Sequence, residues 1–180
     1  SVKKLGKGDE ILENGEKILA LINSFSQGVR AYNCELGIPQ DSVNLSLVKI
    51  KDDSMLEVEF FARSMSKDGL NRMEFEISEL AKALGFSVIA KDRNPAWKPI
   101  NDQFANDILE ELKIYKPNAR ITAVHAGLEC GVLLEKKVGL SACSIGPNIH
   151  SPHSTRECCE VESALFIEKV VRGIIKKYNS

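Results

Sequence analysis

The segment Ala119–Glu157 constrains the fold of this sequence more than any other part. Two short apolar runs, Arg120–Val124 and Leu140–Ile145, have the composition of buried strands, and a turn rich in polar residues follows each of them. Between the runs, Leu128–Lys136 is long enough for about two helical turns. Strand, helix and strand form a βαβ unit, whose ligands bind beyond the carboxyl ends of the strands. The sequence therefore predicts a functional site at these two turns.

All three histidines of the chain, His125, His150 and His153, lie in this segment. Pro152 lacks an N–H donor and disfavours helical backbone before it, so His150 and His153 cannot form a helical metal-binding pair. Two surface loop histidines are one interpretation, and an imidazole that binds zinc is the other. A catalytic zinc site uses three protein ligands, so one histidine cannot form such a site by itself. We expect His125, which ends an apolar run, to be a hydrogen-bonded core residue.

The motifs around these histidines resemble those of a known family. The sequence HAGLECG at 125–131, followed by SIGPNIHSPHS at 144–154, is similar to the C-terminal signature of Xaa-His dipeptidases (aminoacyl-histidine dipeptidase, peptidase D). These enzymes belong to the dinuclear-zinc aminopeptidase, carboxypeptidase and aminoacylase group. The family pattern PHSPDE is PHSTRE here, at 152–157. The resemblance extends back through 95–99 and 60–64, and so covers most of the chain.

The resemblance implies that His153 binds one of two active-site zinc ions, for which manganese or cobalt are alternatives. In the family, the other ligands come from an N-terminal segment with a His-x-Asp motif, and this sequence contains no His-x-Asp. We therefore expect the chain to be the C-terminal part of such an enzyme, without its N-terminal catalytic segment. Its zinc site would be absent or incomplete, and the chain alone would not hydrolyse dipeptides.

The resemblance also implies catalytic or substrate-binding roles for Arg63, Gly127 and Glu129. Arg63 stands near the end of an apolar run, and a guanidinium suits a substrate carboxylate or a tetrahedral oxyanion. The alternative for Arg63 is an ion pair with Glu57 or Glu59. Gly127 and Glu129 belong to a turn that meets the substrate in related peptidases. The alternative for Glu129 is a carboxylate favoured by the dipole at a helix N-terminus.

The apolar patterns of the first half predict an α-β-β-α-β layer, which gives an α/β (α+β) fold class with an antiparallel sheet. Both helices would cover one face of the sheet, and the open face would carry Arg63. The predicted elements are a helix over 9–28, a loop over Arg30–Asp41, strands over Ser42–Lys51 and Met55–Ser64 joined by a turn at Lys51–Ser54, a helix over 66–84 capped by Ser64 or Ser66 and closed by Gly85, and a strand over Phe86–Lys91.

Two prolines around Trp97 indicate a stiff hinge at Lys91–Asn101. The hinge divides the chain into 1–92 and 93–180. By resemblance, the first domain is part of a lid of the dimerisation type and the second is the C-terminal part of the catalytic domain. In the second, the predicted βαβ unit lies between two predicted helices, Asp102–Tyr115 and Val161–Tyr178.

The composition is typical of a soluble globular protein, with 43% hydrophobic residues, 27% charged residues and a net charge of −1. A nearly neutral chain offers no electrostatic attraction to nucleic acid or to an anionic membrane. The sequence shows neither an apolar run of transmembrane length nor a basic-plus-apolar leader. We therefore expect neither nucleic acid nor membrane as a partner.

The five cysteines are scattered and include no Cys-x-x-Cys pair. This argues against a disulfide framework and a zinc ribbon, and it favours a reduced cytoplasmic setting. A redox protein that uses the adjacent Cys158 and Cys159 is one further interpretation, and it would require a depressed thiol pKa.

The expected function is thus that of a zinc dipeptidase for Xaa-His substrates, of which this chain is a part and which forms a homodimer through its lid. The alternative is a non-catalytic α/β interaction or dimerisation module. In that case the sheet face around Arg63 would bind a protein partner, and neither zinc nor His153 would be needed.

Overall fold

The computed structural model describes residues 12–51 and 55–179. The chain forms two compact units, residues 1–93 and residues 94–180. Helices combine with an antiparallel three-stranded sheet, which confirms the predicted mixed α/β class. Within the described ranges, no helix has both the length and the apolar character needed to cross a membrane.

The first unit is an antiparallel sheet with two helices. Its strand order is β1-β2-β3, and both pairings are antiparallel. The elements are α1 (Gly15–Ser24), β1 (Gly28–Asn33), β2 (Ile38–Ile50), β3 (Leu56–Ser64) and α2 (Lys67–Ala83). The strands predicted before and after the turn at Lys51–Ser54 are confirmed as β2 and β3, and the turn itself falls largely outside the described residues.

The first strand corrects two predictions. The segment Arg30–Asp41 is not a loop, because β1 and the start of β2 pair as a hairpin. The first helix ends at Ser24, and Gly28, with a φ of 95° that favours glycine, begins β1. The strand predicted at Phe86–Lys91 is also wrong, since this segment forms no regular element. The element order is therefore α-β-β-β-α, and the third strand of the sheet is β1.

The core of the first unit lies between α2 and one face of the sheet. Met73 of α2 and Val43 of β2 are 2% and 1% exposed, and Phe25 joins them at the end of α1. The Phe25 ring meets the Phe60 ring edge to face, with centroids 4.5 Å apart. The partly buried side chains around this cluster are Leu45, Phe60, Ala62, Leu70, Ile77 and Leu80. Phe60 and Ala62 come from β3, and Leu70, Ile77 and Leu80 come from the same helix as Met73.

A buried carboxylate fixes the end of β3 to the start of α2. Asp41 is 1% exposed, and its Oδ1 accepts a 2.6 Å hydrogen bond from the Ser64 hydroxyl. Its Oδ2 accepts a 3.2 Å bond from Arg72. Ser66 caps α2 by accepting a 3.0 Å bond from the Gly69 amide, as predicted. These contacts fix the conformation of the connection between β3 and α2, which directly follows Arg63.

The second unit consists of three helices and a short hairpin. Its elements are α3 (Gln103–Tyr115), α4 (Glu129–Lys136), β4 (Ile149–His150), β5 (Cys158–Cys159) and α5 (Val161–Tyr178). The helices α3 and α5 pack together over Ala105, Ile108 and Val170, which are at most 5% exposed. Asp102 caps α3 by accepting a 2.9 Å bond from the Ala105 amide. All three helices were predicted.

The two strands predicted in this unit, Arg120–Val124 and Leu140–Ile145, are not formed. Neither run pairs with a strand among the described residues, and Ile121 and Val124 are 37% and 47% exposed. A strand exists only through pairing with a neighbour, and parallel strands need cover on both faces. The described part of the βαβ unit is therefore α4 between two irregular segments.

Candidate functional site

His153 lies in a hairpin loop with unusual backbone geometry. The strands β4 and β5 pair antiparallel, with His150 opposite Cys158. In the loop between them, Ser151 and His153 have φ angles of 50° and 61°, a left-handed region that residues other than glycine seldom adopt. Pro152 separates them.

Side chains of the loop itself stabilise this conformation. The His153 amide donates a 2.6 Å hydrogen bond to the Glu157 carboxylate. The Ser154 hydroxyl donates a 2.8 Å bond to the Ser151 carbonyl and accepts a 3.2 Å bond from the Arg156 amide. The loop is therefore closed by polar contacts rather than by apolar packing, and each of its five contact residues is exposed.

The base of the hairpin is held by a second carboxylate, Glu160. Its Oε1 lies 2.7 Å from Nε2 of His150, and its Oε2 accepts a 2.8 Å bond from the Asn148 amide group. The hydrogen bonds from Asn148 and His150 hold the pKa of Glu160 below its usual range. The His150 ring is thus engaged, whereas the exposed His153 ring has no hydrogen-bond partner among the described residues.

These positions decide how far the described residues fit a zinc site. The unengaged imidazole of His153 suits zinc, which binds histidine nitrogen readily. Among residues 12–51 and 55–179, no group of three or more His, Cys, Asp and Glu side chains is arranged to hold a metal ion. The described part of the chain therefore fits one ligand position of a zinc site and not a complete site.

Gly127 and Glu129 lie at the start of α4. Glu129 is the first residue of the helix and is exposed, as the helix-dipole interpretation requires. Apart from its two chain neighbours, no described residue has a heavy atom within 4 Å of the place where a Cβ on Gly127 would stand, so the described structure leaves space there. His125, two residues earlier, is half-buried. The substrate-binding roles of Gly127 and Glu129 stay predictions.

Trp97 packs against the same helix. A Cβ on Gly131 would lie 3.1 Å from Cβ of Trp97 and 3.5 Å from the Pro95 carbonyl oxygen. Gly131 is buried, and Trp97 is half-buried. The glycine of the HAGLECG motif at this position thus allows close packing inside the second unit, a contact that the sequence pattern did not indicate.

Arg63 stands on the open face of the first unit's sheet. It shares this face with Phe61, two residues earlier in β3, and its guanidinium lies 4.9 Å from the centroid of the Phe61 ring. The alternative ion pair with Glu57 or Glu59 is not formed in the described structure, where Glu57 pairs with Lys51 at 3.3 Å. Arg63 and His153 belong to different units, and the role that the resemblance implies for each of them stays a prediction.

The adjacent cysteines do not form a disulfide. Cys158 and Cys159 are consecutive residues of β5, so their side chains extend from opposite faces of the strand. Both are exposed free thiols. The remaining free thiols are those of Cys34, Cys130 and Cys143.

The chain is similar to two dipeptidases. It is 28% identical over 170 residues to the cytosol non-specific dipeptidase of Escherichia coli (strain K12), a match that covers 93% of this chain and 35% of the relative. The resemblance to dipeptidases is confirmed. The fold matches the crystal structure of the aminoacylhistidine dipeptidase from Vibrio alginolyticus with a TM-score of 0.65 and 23% identity, over 90% of this chain and 34% of that one. No family model matches the sequence.

The similarity to these dipeptidases has a defined extent. This chain spans about a third of the length of the relatives it matches, 35% in one case and 34% in the other. Because the matches cover 93% and 90% of this chain, they include most of each compact unit. The fold match to the aminoacylhistidine dipeptidase structure therefore extends into both units.

Proposed function

We propose that this chain forms part of a metallodipeptidase and supplies residues to its active site. The observation that carries the proposal is the state of His153, whose exposed and unengaged imidazole is presented by a loop in left-handed backbone geometry. The similarity to dipeptidases supplies the reaction class, hydrolysis of dipeptides. Aminoacyl-histidine dipeptides are the substrates that we propose, because the motif resemblance is to that family.

His153 is the proposed ligand of one of two zinc ions, with manganese or cobalt as alternatives. A catalytic zinc needs three protein ligands, and the described residues do not bring two more to His153. The 180-residue chain by itself is therefore expected to hold no complete metal site and to show no activity.

Arg63 is the proposed anion-binding residue. Its guanidinium carries five donors in a planar fork, which match a carboxylate or an oxyanion in two-point contacts. In the described structure it is exposed, lies over Phe61 and has no carboxylate partner. It is therefore available for the substrate carboxylate or for the negative charge of the transition state. Gly127 and Glu129 are proposed to contact the substrate from the turn before α4.

The first unit is proposed to act as a lid and as the dimerisation surface of a cytoplasmic enzyme. The part of the β2–β3 hairpin nearest its turn supports this role because it exposes large apolar side chains on both faces, and such side chains often mark interaction surfaces. These are Leu47, Val48, Ile50 and Met55, all at least 39% exposed. The same exposed side chains support the second candidate function, a non-catalytic interaction module.

The first experiment measures hydrolysis of an aminoacyl-histidine dipeptide by the purified 180-residue chain with Zn²⁺ or Mn²⁺. No turnover is expected. Turnover that disappears in His153→Ala would show that the chain holds a complete site, contrary to the proposal.

The second experiment places this chain in the E. coli dipeptidase, in exchange for the segment that it matches. In a folded chimaera, His153→Ala should remove one bound metal ion and the activity together. The matched control is His150→Ala, which removes an exposed histidine of the same hairpin. Equal metal content and activity in the His153→Ala and parent chimaeras would favour the interaction module.

A further inference from the structure

The loop that presents His153 contains two of the three non-glycine residues with positive φ in the described structure, Ser151 and His153. Such backbone angles are unfavourable for residues with a Cβ, and they persist only where surrounding contacts impose them. The third such residue, Asp92, lies in the other unit. The unfavourable backbone geometry in this loop is therefore local, and the candidate metal ligand His153 shares it with Ser151.

Glu157 supplies the contacts that hold this geometry. Its carboxylate accepts the 2.6 Å hydrogen bond from the His153 amide, and its own amide donates a 3.1 Å bond to the Ser154 carbonyl. Glu157 directly precedes β5, so the loop is fastened to a paired strand. A bond from a backbone amide to an ionised carboxylate is among the stronger hydrogen bonds in proteins.

We infer that Glu157 is a positioning residue for His153. With the amide bonded to Glu157, the backbone of His153 stays left-handed, and this fixes the direction of its Cα–Cβ bond relative to the hairpin. Without that bond, the residue can return to the negative φ that it favours intrinsically, and the imidazole then leaves from a different direction. Glu157 would thus set the orientation of the ligand without touching the metal.

Two neighbouring groups cannot replace Glu157 in this role. Glu160 bonds Asn148 and His150 at the base of the hairpin, and its carboxylate has no bond to His153. The Ser154 hydroxyl bonds Ser151 and the Arg156 amide, which leaves the His153 amide to Glu157. The inference rests on the proposed function in one respect, that His153 is the residue to be positioned.

The test uses the isotope-labelled 180-residue chain, studied by NMR. It compares Glu157→Ala with Glu157→Gln, in which a side-chain oxygen can still accept the bond. Glu135→Ala is the control, because Glu135 is an exposed glutamate of α4 in the same unit. Hydrogen exchange of the His153 amide and its φ angle report on the loop. The Thr155 amide, which has no partner among the described residues, is the internal reference.

Glu157→Ala should speed exchange of the His153 amide by about tenfold, to the level of Thr155, and should average its φ toward negative values. Glu157→Gln should stay within about threefold of the parent chain, because the acceptor remains. Addition of Zn²⁺ alone should shift the His153 ring signals, with an apparent Kd that rises several-fold in Glu157→Ala and returns in Glu157→Gln. The unfolding temperature should match that of Glu135→Ala.

Each other outcome has a defined consequence. Slow exchange of the His153 amide and a positive φ retained in Glu157→Ala would overturn the inference. So would an apparent Kd for Zn²⁺ that is the same in Glu157→Ala and in the parent chain although the exchange has become faster. If the His153 ring signals of the parent chain do not shift on addition of Zn²⁺, the proposal that His153 is a zinc ligand is wrong. In that case the exchange and φ results would still decide whether Glu157 sets the geometry of His153.

Discussion

The hydroxyl of Tyr178 donates a 2.6 Å hydrogen bond to Oδ2 of Asp107, which lies 71 residues earlier in the chain. The same carboxylate accepts 2.9 Å bonds from Lys177 and from Gln103. Its side chain is only 7% exposed. This contact joins the last turn of α5 to the first half of α3, and it lowers the pKa of Asp107 to about 2, with the bond from Tyr178 as the largest cause.

The first prediction is a loss of stability in acid that depends on Asp107. A depressed carboxyl pKa contributes stability that is complete above the pKa of the unfolded state, 3.8, and is lost as the pH falls toward about 2. The unfolding temperature should therefore fall across this window, and Asp107→Asn should flatten the fall. Circular dichroism melts at a series of pH values measure it. Glu110→Gln is the control, since the Glu110 side chain is 71% exposed and its contact with Lys177 is 3.4 Å long. Parallel curves for Asp107→Asn and the parent would contradict the prediction.

The second prediction compares two helical glycines. A Cβ on Gly69 would collide with the Ser64 hydroxyl and lie 2.8 Å from Oδ1 of Asp41, inside a buried network. A Cβ on Gly173 would meet the side chain of Glu111, which is flexible and can move aside. Gly69→Ala should destabilise the first unit by about 1–3 kcal/mol, because the network must shift.

Gly173→Ala is the matched control. It should be neutral or stabilising by up to about 1 kcal/mol, because alanine favours helix more than glycine does. Urea unfolding of both variants measures the difference. Equal effects would mean that the space around Gly69 is not restrictive.

The third prediction concerns the segment between the units. The residues from Gly85 to Asp102 form neither helix nor strand, and the exposed residues among them include Lys91 and Arg93. Trypsin should cleave there before it cleaves at Arg72 or Lys82, because α2 is packed on the sheet and a helix must unfold to enter the protease. Mass spectrometry of early fragments identifies the first cut. A first cut inside α2 would argue against the two-unit division.

Sequence patterns predicted the elements with a clear apolar periodicity, which are the strands β2 and β3 and most of the helices. The helices α2, α3 and α5 were predicted because their apolar residues recur at helical spacing and Ser66 precedes the first. The strand β1 was missed because it exists through pairing with β2, across a turn in which the Asn33 side chain accepts a 3.0 Å bond from the Leu36 amide. The turn residues Asn33 and Gly37 could have indicated a hairpin here, and with it the strand β1.

The candidate site divides in the same way. His153 could be proposed as a metal ligand from its motif, because the sequence gives the chemistry of each side chain directly. The bond from its backbone amide to Glu157 could not, because it depends on a left-handed φ that residue types do not specify. The run Arg120–Val124 looked like a strand because its composition suits one, yet strand formation requires a partner that composition does not supply.

The last prediction tests Arg63 in the chimaera with the E. coli dipeptidase. Arg63 is exposed, contacts the Phe61 ring and has no carboxylate partner in the described structure, so its removal should cost the fold little. If it binds charge that develops in the transition state, Arg63→Ala should lower kcat, with an activation free energy raised by roughly 2–4 kcal/mol. The metal content should stay unchanged. Arg63→Lys should restore only part of the rate, because an ammonium group lacks the two-point fork. The control is Arg172→Ala, which removes the same charge from an exposed position on α5, where the arginine pairs with Glu168 at 2.7 Å. A lowered unfolding temperature with full kcat/KM in Arg63→Ala would instead make Arg63 a structural residue of the sheet.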